Sequence, residues 1–352
     1  MLDAYTDFLL CSFGQASATH LSRLSEGAIS HDRVTRFLNC EEQTSSALWQ
    51  HVKPLVRQVE QENGVLIIDD SIADKSYTDE NDLIAWHYDH ALGRNVKGIN
   101  FLTAMYQVPE VALPVAFDLV TKTVPYIDKK SGKQKRKSAS TKNERFRMLL
   151  HVCQHNQLLF KYVLADAWYG AADNMRYVKL TLAKEFIFPL KENRKVALSE
   201  AEQQTKQFQA VNRLELPEGT TLTVWLEELP FAVQLIRQVF RNDDGSEGVR
   251  YLVTSDLTLN WTRLTDTYQR RWSIEPYHKS LKQNASLEKS PTRRERTQRN
   301  HLFASLCAYI KLERLRLRTS LNHFAIKSKI YLSALKAARE EFVKLKKLLP
   351  AA

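Results

Sequence analysis

Fifteen residues, Tyr268-Gln269-Arg270-Arg271-Trp272-Ser273-Ile274-Glu275-Pro276-Tyr277-His278-Lys279-Ser280-Leu281-Lys282, set one carboxylate among several cations and a phenol. Wound as a helix at about 100° per residue, Tyr268, Arg271, Glu275, Lys279 and Lys282 fall at about 0°, 300°, 340°, 20° and 320°. They form one stripe, while Ile274, Tyr277 and Leu281 at roughly 240°, 180° and 220° make an apolar back. Pro276 lacks an amide hydrogen and is the place where such a helix would kink. A carboxylate flanked by bases suits metal-dependent chemistry on a phosphodiester, with the acid holding the cation and the bases holding phosphates.

Two further acids stand at the ends of apolar runs. Val65-Leu66-Ile67-Ile68-Asp69-Asp70-Ser71 reads as a buried strand with polar groups at its mouth. Tyr162-Val163-Leu164-Ala165-Asp166-Ala167-Trp168-Tyr169-Gly170 repeats the design and adds a glycine for the turn. Catalytic groups gather at the carboxyl ends of strands in open α/β sheets. Neighbouring strand residues point to opposite faces, so Asp69 and Asp70 are alternatives that periodicity does not separate, both faces of the run being apolar.

The order Tyr, two residues, Arg, three residues, Glu, six residues, Lys resembles the Y-R-E-K signature of bacterial insertion-sequence DDE transposases. Tyr268, Arg271, Glu275 and Lys282 match it without a spacing error, and Trp272, His278 and Lys279 resemble that group too. In that family the first Asp precedes Ser or Thr and the second precedes a turn with Tyr-Gly, as in Asp70-Ser71 and Asp166-Ala167-Trp168-Tyr169-Gly170. The resemblance thus implies a catalytic and metal-binding triad of Asp70, Asp166 and Glu275, with Asp70 preferred over Asp69. It implies Tyr268, Arg271, His278, Lys279 and Lys282 as DNA-binding residues. Two ions of Mg²⁺, or Mn²⁺ in its place, suit three hard oxygen donors. Water and then a DNA 3′-hydroxyl would be the nucleophiles. The implied partners are double-stranded DNA, as terminal inverted repeats and target, and a second copy of the chain in a synaptic homodimer.

Composition agrees with a polyanionic partner. The 352 residues carry 51 Lys+Arg against 40 Asp+Glu, a net charge of +11. From Lys129 to Arg147 nine residues are basic and one is acidic; from Arg263 to Arg299 ten are basic and four acidic. Cys11, Cys40, Cys153 and Cys307 are scattered and form neither a zinc motif nor a disulfide framework, which fits a reducing compartment. No apolar run approaches membrane-spanning length, and Met1-Leu2-Asp3-Ala4 lacks a signal peptide's basic start. The expected location is the bacterial cytoplasm, on the nucleoid when DNA is bound, with no membrane partner. Ten glycines and no phosphate-cradling loop speak against a nucleotide cofactor.

The expected fold is α/β: an RNase H-like mixed sheet flanked by helices, a β-rich insertion between the second Asp and the Glu, an N-terminal helical domain and C-terminal helices. Residues 1–60 are predicted as helical and DNA-binding, with Ser30 capping a helix through Val34, Phe37 and Leu38. Leu24 to Leu38 around Gly27 suits a helix-turn-helix or, equally, a bundle covering the core. Residues 61–190 are read as the first part of the catalytic core. Its strands are placed at 65–70, near 96–106, 111–119, 161–166 and 185–190, and its helices near 142–155 and 172–184. Residues 71–95 read as a long polar linker, and Lys129–Lys137 as the nearest approach to disorder, ordering on DNA. The 109 positions from Asp166 to Glu275 (275 minus 166) hold the insertion at 191–256. Its hairpin strands are predicted at 221–226, 231–240 and 251–254, turning at Asn242-Asp243-Asp244-Gly245. Trp225 is the insertion's aromatic, read as core. Residues 257–300 complete the core, and 301–352 are helical, packing on the core or forming a dimer contact.

His87 and His90 are spaced for a metal but lack a third ligand of diagnostic spacing. Two rival functions share these features. A catalytically silent, domesticated DNA-binding protein keeps the basic surface and does not cleave. An RNase H-like nuclease keeps the carboxylates and does not join strands.

Overall fold

A computed structural model describes residues 1–89, 92–129, 132–241 and 243–348. Four helices lead the chain: α1 (Leu2–Cys11), α2 (Ala18–Leu24), α3 (His31–Leu38) and α4 (Ser45–Val59). The Ser30 side chain accepts the Arg33 amide and starts α3, whose Val34 and Leu38 are buried while Arg33 and Arg36 face solvent. Gly27 turns the chain between α2 and α3 at φ +84°, a backbone conformation that side chains resist.

Strands β1 (Val65–Asp74), β2 (Ala85–Asp89), β3 (Arg94–Val108), β4 (Val111–Leu119), β5 (Val124–Ile127) and β6 (Gln134–Lys137) follow. After helix α5 (Lys142–His155) come β7 (Tyr162–Leu164), α6 (Ala172–Arg176) and β8 (Glu185–Leu190). The remaining strands are β9 (Lys195–Ala197), β10 (Gln209–Ala210) after the short α7 (Glu200–Gln204), β11 (Leu222–Leu226), β12 (Ala232–Arg241) and β13 (Glu247–Thr254). Helices α8 (Trp261–Gln269), α9 (Ile274–Gln283), α10 (Glu295–Thr319) and α11 (His323–Lys346) close the chain.

These elements form two compact units. One contains Lys53–Ser71 and Phe101–Glu275; the other contains Met1–Val52, Ile72–Asn100 and Pro276–Ala352. In the first, the sheet runs β10-β9-β11-β12-β13-β8-β7-β1-β3, with β4 paired to β3. It is mixed: β1, β7 and β8 are parallel neighbours, and β8, β13, β12 and β11 are antiparallel. The centre is apolar on both faces, with Val65 to Ile68, Val163, Leu164 and Phe186 to Phe188 at 0% exposure. Helix α5 covers β4 and α8 covers β8. The predicted insertion is present as β11, β12 and β13, and it extends the main sheet through β8. Trp225 is half-buried in β11. In the turn predicted at 242–245, Asn242 lies outside the described residues.

In the second unit α10 is the buried centre, with Leu302, Leu306, Tyr309 and Ile310 at 3% exposure or less. Helix α1 packs on it. Helix α11 behaves differently, since its Leu332 and Leu335 are exposed.

Three expectations are corrected. The linker at 71–95 contains strand: β1 continues to Asp74, and β2 pairs antiparallel with Arg94–Gly98 of β3. Its alternation, with Ala85 and His87 inside and Trp86 and Tyr88 outside, inverts the apolar-in, polar-out pattern that marks a strand. The basic run is a hairpin without DNA, β6 pairing with β5; its Lys130 and Ser131 lie outside the described residues, as does His90 of the histidine pair. Finally, 268–282 is not one helix. A 3₁₀ turn at Arg270–Ser273 separates α8 from α9. That places Pro276 in the first turn of a new helix, where a missing amide costs no bond.

Candidate active site

Asp69, Asp70 and Asp166 stand toward the carboxyl ends of two central strands of the first unit's sheet, brought together because β1 and β7 run parallel. Val65 pairs with Tyr162, and extending that offset of 97 (162 minus 65) puts Asp69 level with Asp166. The Asp69 Oδ1 accepts the Asp70 amide at 2.8 Å. Burial, with the charges of Asp166 and Asp70 behind it, pushes the Asp69 carboxyl up to about 7. Asp166 is also raised, by burial first and the Asp70 charge second, while its Oδ1 accepts the Trp168 amide at 2.9 Å.

Asp70 is held from two sides. Tyr169 donates its hydroxyl to Oδ1 at 2.8 Å, and Lys142 at the start of α5 donates to Oδ2 at 2.7 Å. The Tyr169 ring stacks on Phe146 at 5.0 Å, and its carbonyl accepts the Asn174 amide group at 2.9 Å. The turn after Asp166 therefore folds a phenol back onto the neighbouring strand's acid. Gly170 makes that turn possible, because a Cβ there would stand 2.8 Å from the Pro189 carbonyl oxygen. Next to Asp70 a tyrosinate is strongly disfavoured; burial and then that carboxylate raise Tyr169 well above its ordinary range, so it remains a donor.

Beside Asp166 opens a cavity of about 490 Å³, lined among others by Lys191, Arg250, Tyr268 and Arg271. Tyr268 forms its floor. It is 2% exposed, its hydroxyl donates to the Ala165 carbonyl at 3.4 Å, and burial pushes its pKa up to about 12. Two guanidiniums lie against its ring, Arg250 at 5.3 Å and Arg271 at 5.8 Å. The Arg271 Nε is buried without a hydrogen-bond partner. Its neighbour Arg270 is structural, donating to the Gln107 side chain and carbonyl and to the Asn63 carbonyl.

Of the predicted site, then, Asp70, Asp166, Tyr268 and Arg271 are gathered in the first unit. Glu275 is exposed in the first turn of α9. His278, Lys279 and Lys282 follow on the part of α9 that belongs to the second unit. There the Lys282 ammonium lies 3.5 Å from Glu288, and that of Lys279 lies 5.3 Å from the Phe324 ring. Among the described residues no three His, Cys, Asp or Glu side chains converge as a ready metal-holding group. The donors nevertheless suit a hard divalent cation: Asp69 and Asp166, whose proton affinity is raised by burial and by neighbouring carboxylates, and Asp70, already paired with an ammonium.

Residues 1–210 match the family described as DDE superfamily endonuclease. The chain belongs to that superfamily. Residues 135–311, which include Asp166 and Glu275, match the transposase DDE domain. No curated protein matches the chain. The protein is therefore a DDE transposase, a nuclease-type enzyme with DNA as substrate, in a family that uses divalent metal ions. The sheet flanked by helices agrees with an RNase H-like DDE domain. No helix among the described residues is long and apolar enough to cross a membrane.

Sequence reasoning missed Lys142, Tyr169, Arg250 and Lys191. Tyr169 had a signal, the Tyr-Gly of the turn. Lys142 and Arg250 are ordinary basic residues of a helix start and a strand, and only the fold brings them to the acids.

Proposed function

We propose that this DDE transposase belongs to the Y-R-E-K group, cleaves DNA at the ends of an insertion sequence and joins the freed 3′ ends to target DNA. The observation that supports it most is the convergence of strand-end acids, Asp69 and Asp70 from β1 and Asp166 after its parallel neighbour β7, with Asp166 lining a cavity into which Arg271 and Arg250 bring positive charge. Asp70, Asp166 and Glu275 would hold two Mg²⁺ ions, or Mn²⁺ in their place, which when bound lower the pKa of an attacking water and stabilise the leaving oxygen. Arg271 and Arg250 bind the phosphate next to the scissile bond. Tyr268 acts behind them, fixing through Ala165 the chain that carries Asp166. Tyr169 and Lys142 orient Asp70 and balance its charge. His278, Lys279 and Lys282 bind phosphates farther along the terminal inverted repeat.

Residues 1–60 are assigned to end recognition, with Arg33 and Arg36 on the outward face of α3. The region 301–352 is assigned to a homodimer in the synaptic complex, through the exposed apolar residues of α11. The proposed place of action is the bacterial cytoplasm, on the nucleoid. Glu275→Gln keeps the shape and removes the charge, so end binding survives and cleavage is lost. Cleavage at the wild-type rate by that variant refutes the triad.

A further inference from the structure

The β5–β6 hairpin stands apart from the main sheet as a two-stranded sheet of its own. Almost all of it is exposed, Ile127 at 72% and Tyr126 at 38%, so it is not shaped by packing on the core. Isolated two-stranded ribbons are marginal in water, and one without a buried face needs a use. From Lys122 to Lys142 eight residues are basic and one, Asp128, is acidic. The register orders that charge. Val124 lies opposite Lys137 and Tyr126 opposite Lys135. Lys133, Lys135 and Lys137 share one face by the period of two, spaced about 6.7 Å apart, close to the through-space gap between neighbouring phosphates of one DNA strand, and Lys135 is ion-paired with Asp128. Tyr126 lies on that face too, with the Lys137 ammonium 6.0 Å from its ring centre.

The ribbon is also tied to the site. Five residues lead from Lys137 to Lys142, a reach of at most about 18 Å, and Lys142 itself holds Asp70. That reach is about half a helical turn of B-DNA.

We propose that this hairpin is a preformed clamp on duplex DNA, gripping phosphates beside the catalytic acids irrespective of sequence. The side chains of this face favour that occupant: its ammonium groups position DNA as point charges, whereas Gln134 and Arg136, of the types used in base readout, fall on the opposite face by the period of two. The inference rests on the transposase reading and names where its substrate is held. The test measures binding of the full-length protein to two duplexes, one bearing the element's terminal sequence and one scrambled, across a salt series. Lys133→Ala, Lys135→Ala and Lys137→Ala are combined, and the corresponding triple Arg variant controls for folding. Lys135 is paired with Asp128, so two free contacts, those of Lys133 and Lys137, are lost; the slope of log affinity against log salt falls by about 1.8, and the wild-type advantage shrinks about 12-fold between roughly 50 and 200 mM salt. That result on both duplexes, with the Arg variant at the wild-type slope, establishes the clamp. An unchanged slope with normal wild-type binding overturns it and leaves the transposase reading intact. Loss confined to the terminal duplex overturns the claim of sequence independence. A wild-type protein that binds neither duplex removes the clamp and the transposase reading together.

Discussion

Replacing Asp69 by Asn is expected to make the protein more stable at alkaline pH. Asp69 is partly buried between Asp70 and Asp166, and its carboxyl is raised from 3.8 to about 7. A group raised on folding is protonated in both states below its unfolded pKa and carries no penalty there. The penalty grows as pH rises toward the folded value and is complete above it. Three units at about 1.4 kcal/mol each give an upper figure of about 4 kcal/mol, and partial exposure reduces it to roughly 2–4 kcal/mol. Asparagine keeps the oxygen that accepts the Asp70 amide, so the substitution isolates the charge. Urea unfolding with EDTA present measures it. Asp69→Asn is expected to gain roughly 2–4 kcal/mol at about pH 8 and to lose that gain by about pH 4. Equal stability of the two proteins at both values means that these acids do not crowd one another, and the electrostatic case for the site falls with it.

Two further substitutions probe the frame. His301 is 1% exposed, its Nδ1 accepts the Tyr5 hydroxyl at 2.9 Å and its Nε2–H donates to the Ser286 carbonyl at 3.0 Å, so it is held neutral. Burial lowers it to about 4, so its contribution is present above about pH 6.5 and falls with acid; from pH 7 to pH 5 it amounts to about 2 kcal/mol. His301→Gln makes the urea midpoint less pH-dependent by that amount, and an unchanged pH profile contradicts the assignment. At Gly98 a Cβ would stand 2.3 Å from the Ala73 carbonyl oxygen, so Gly98→Ala destabilises by about 2 kcal/mol in denaturant unfolding; a neutral effect contradicts that close approach.

The acids were legible because strands buried on both faces read as unbroken apolar runs, and the residues ending those runs must meet solvent. Val65–Ile68 and Tyr162–Leu164 announce themselves in this way, and parallel pairing then makes neighbours of acids 97 positions apart (166 minus 69). The 3₁₀ turn at Arg270–Ser273 was not legible, since nothing in four polar or aromatic residues forbids an α-helix. It follows from Arg270 bonding to Gln107 of β3 and to the turn at Asn63, both far away in sequence. Strand β2 hid because its exposed positions are aromatic, which defeats an apolar-in, polar-out pattern. The basic hairpin looked disordered on composition alone; its pairing register, not its hydrophobicity, gives it form. The same limit applies to Lys142, because a lysine's partner is a property of the fold and leaves no mark on the lysine.

The central claim is most directly tested by incubating the full-length protein with end-labelled duplex carrying the element's terminus and its flank, with Mg²⁺ or with EDTA, and resolving the strands on a denaturing gel. The account predicts cuts at the terminus boundary that require the metal and disappear in Asp166→Ala while the duplex is still bound. Cleavage that persists in Asp166→Ala, or binding without any cut in Mg²⁺ or Mn²⁺, contradicts it.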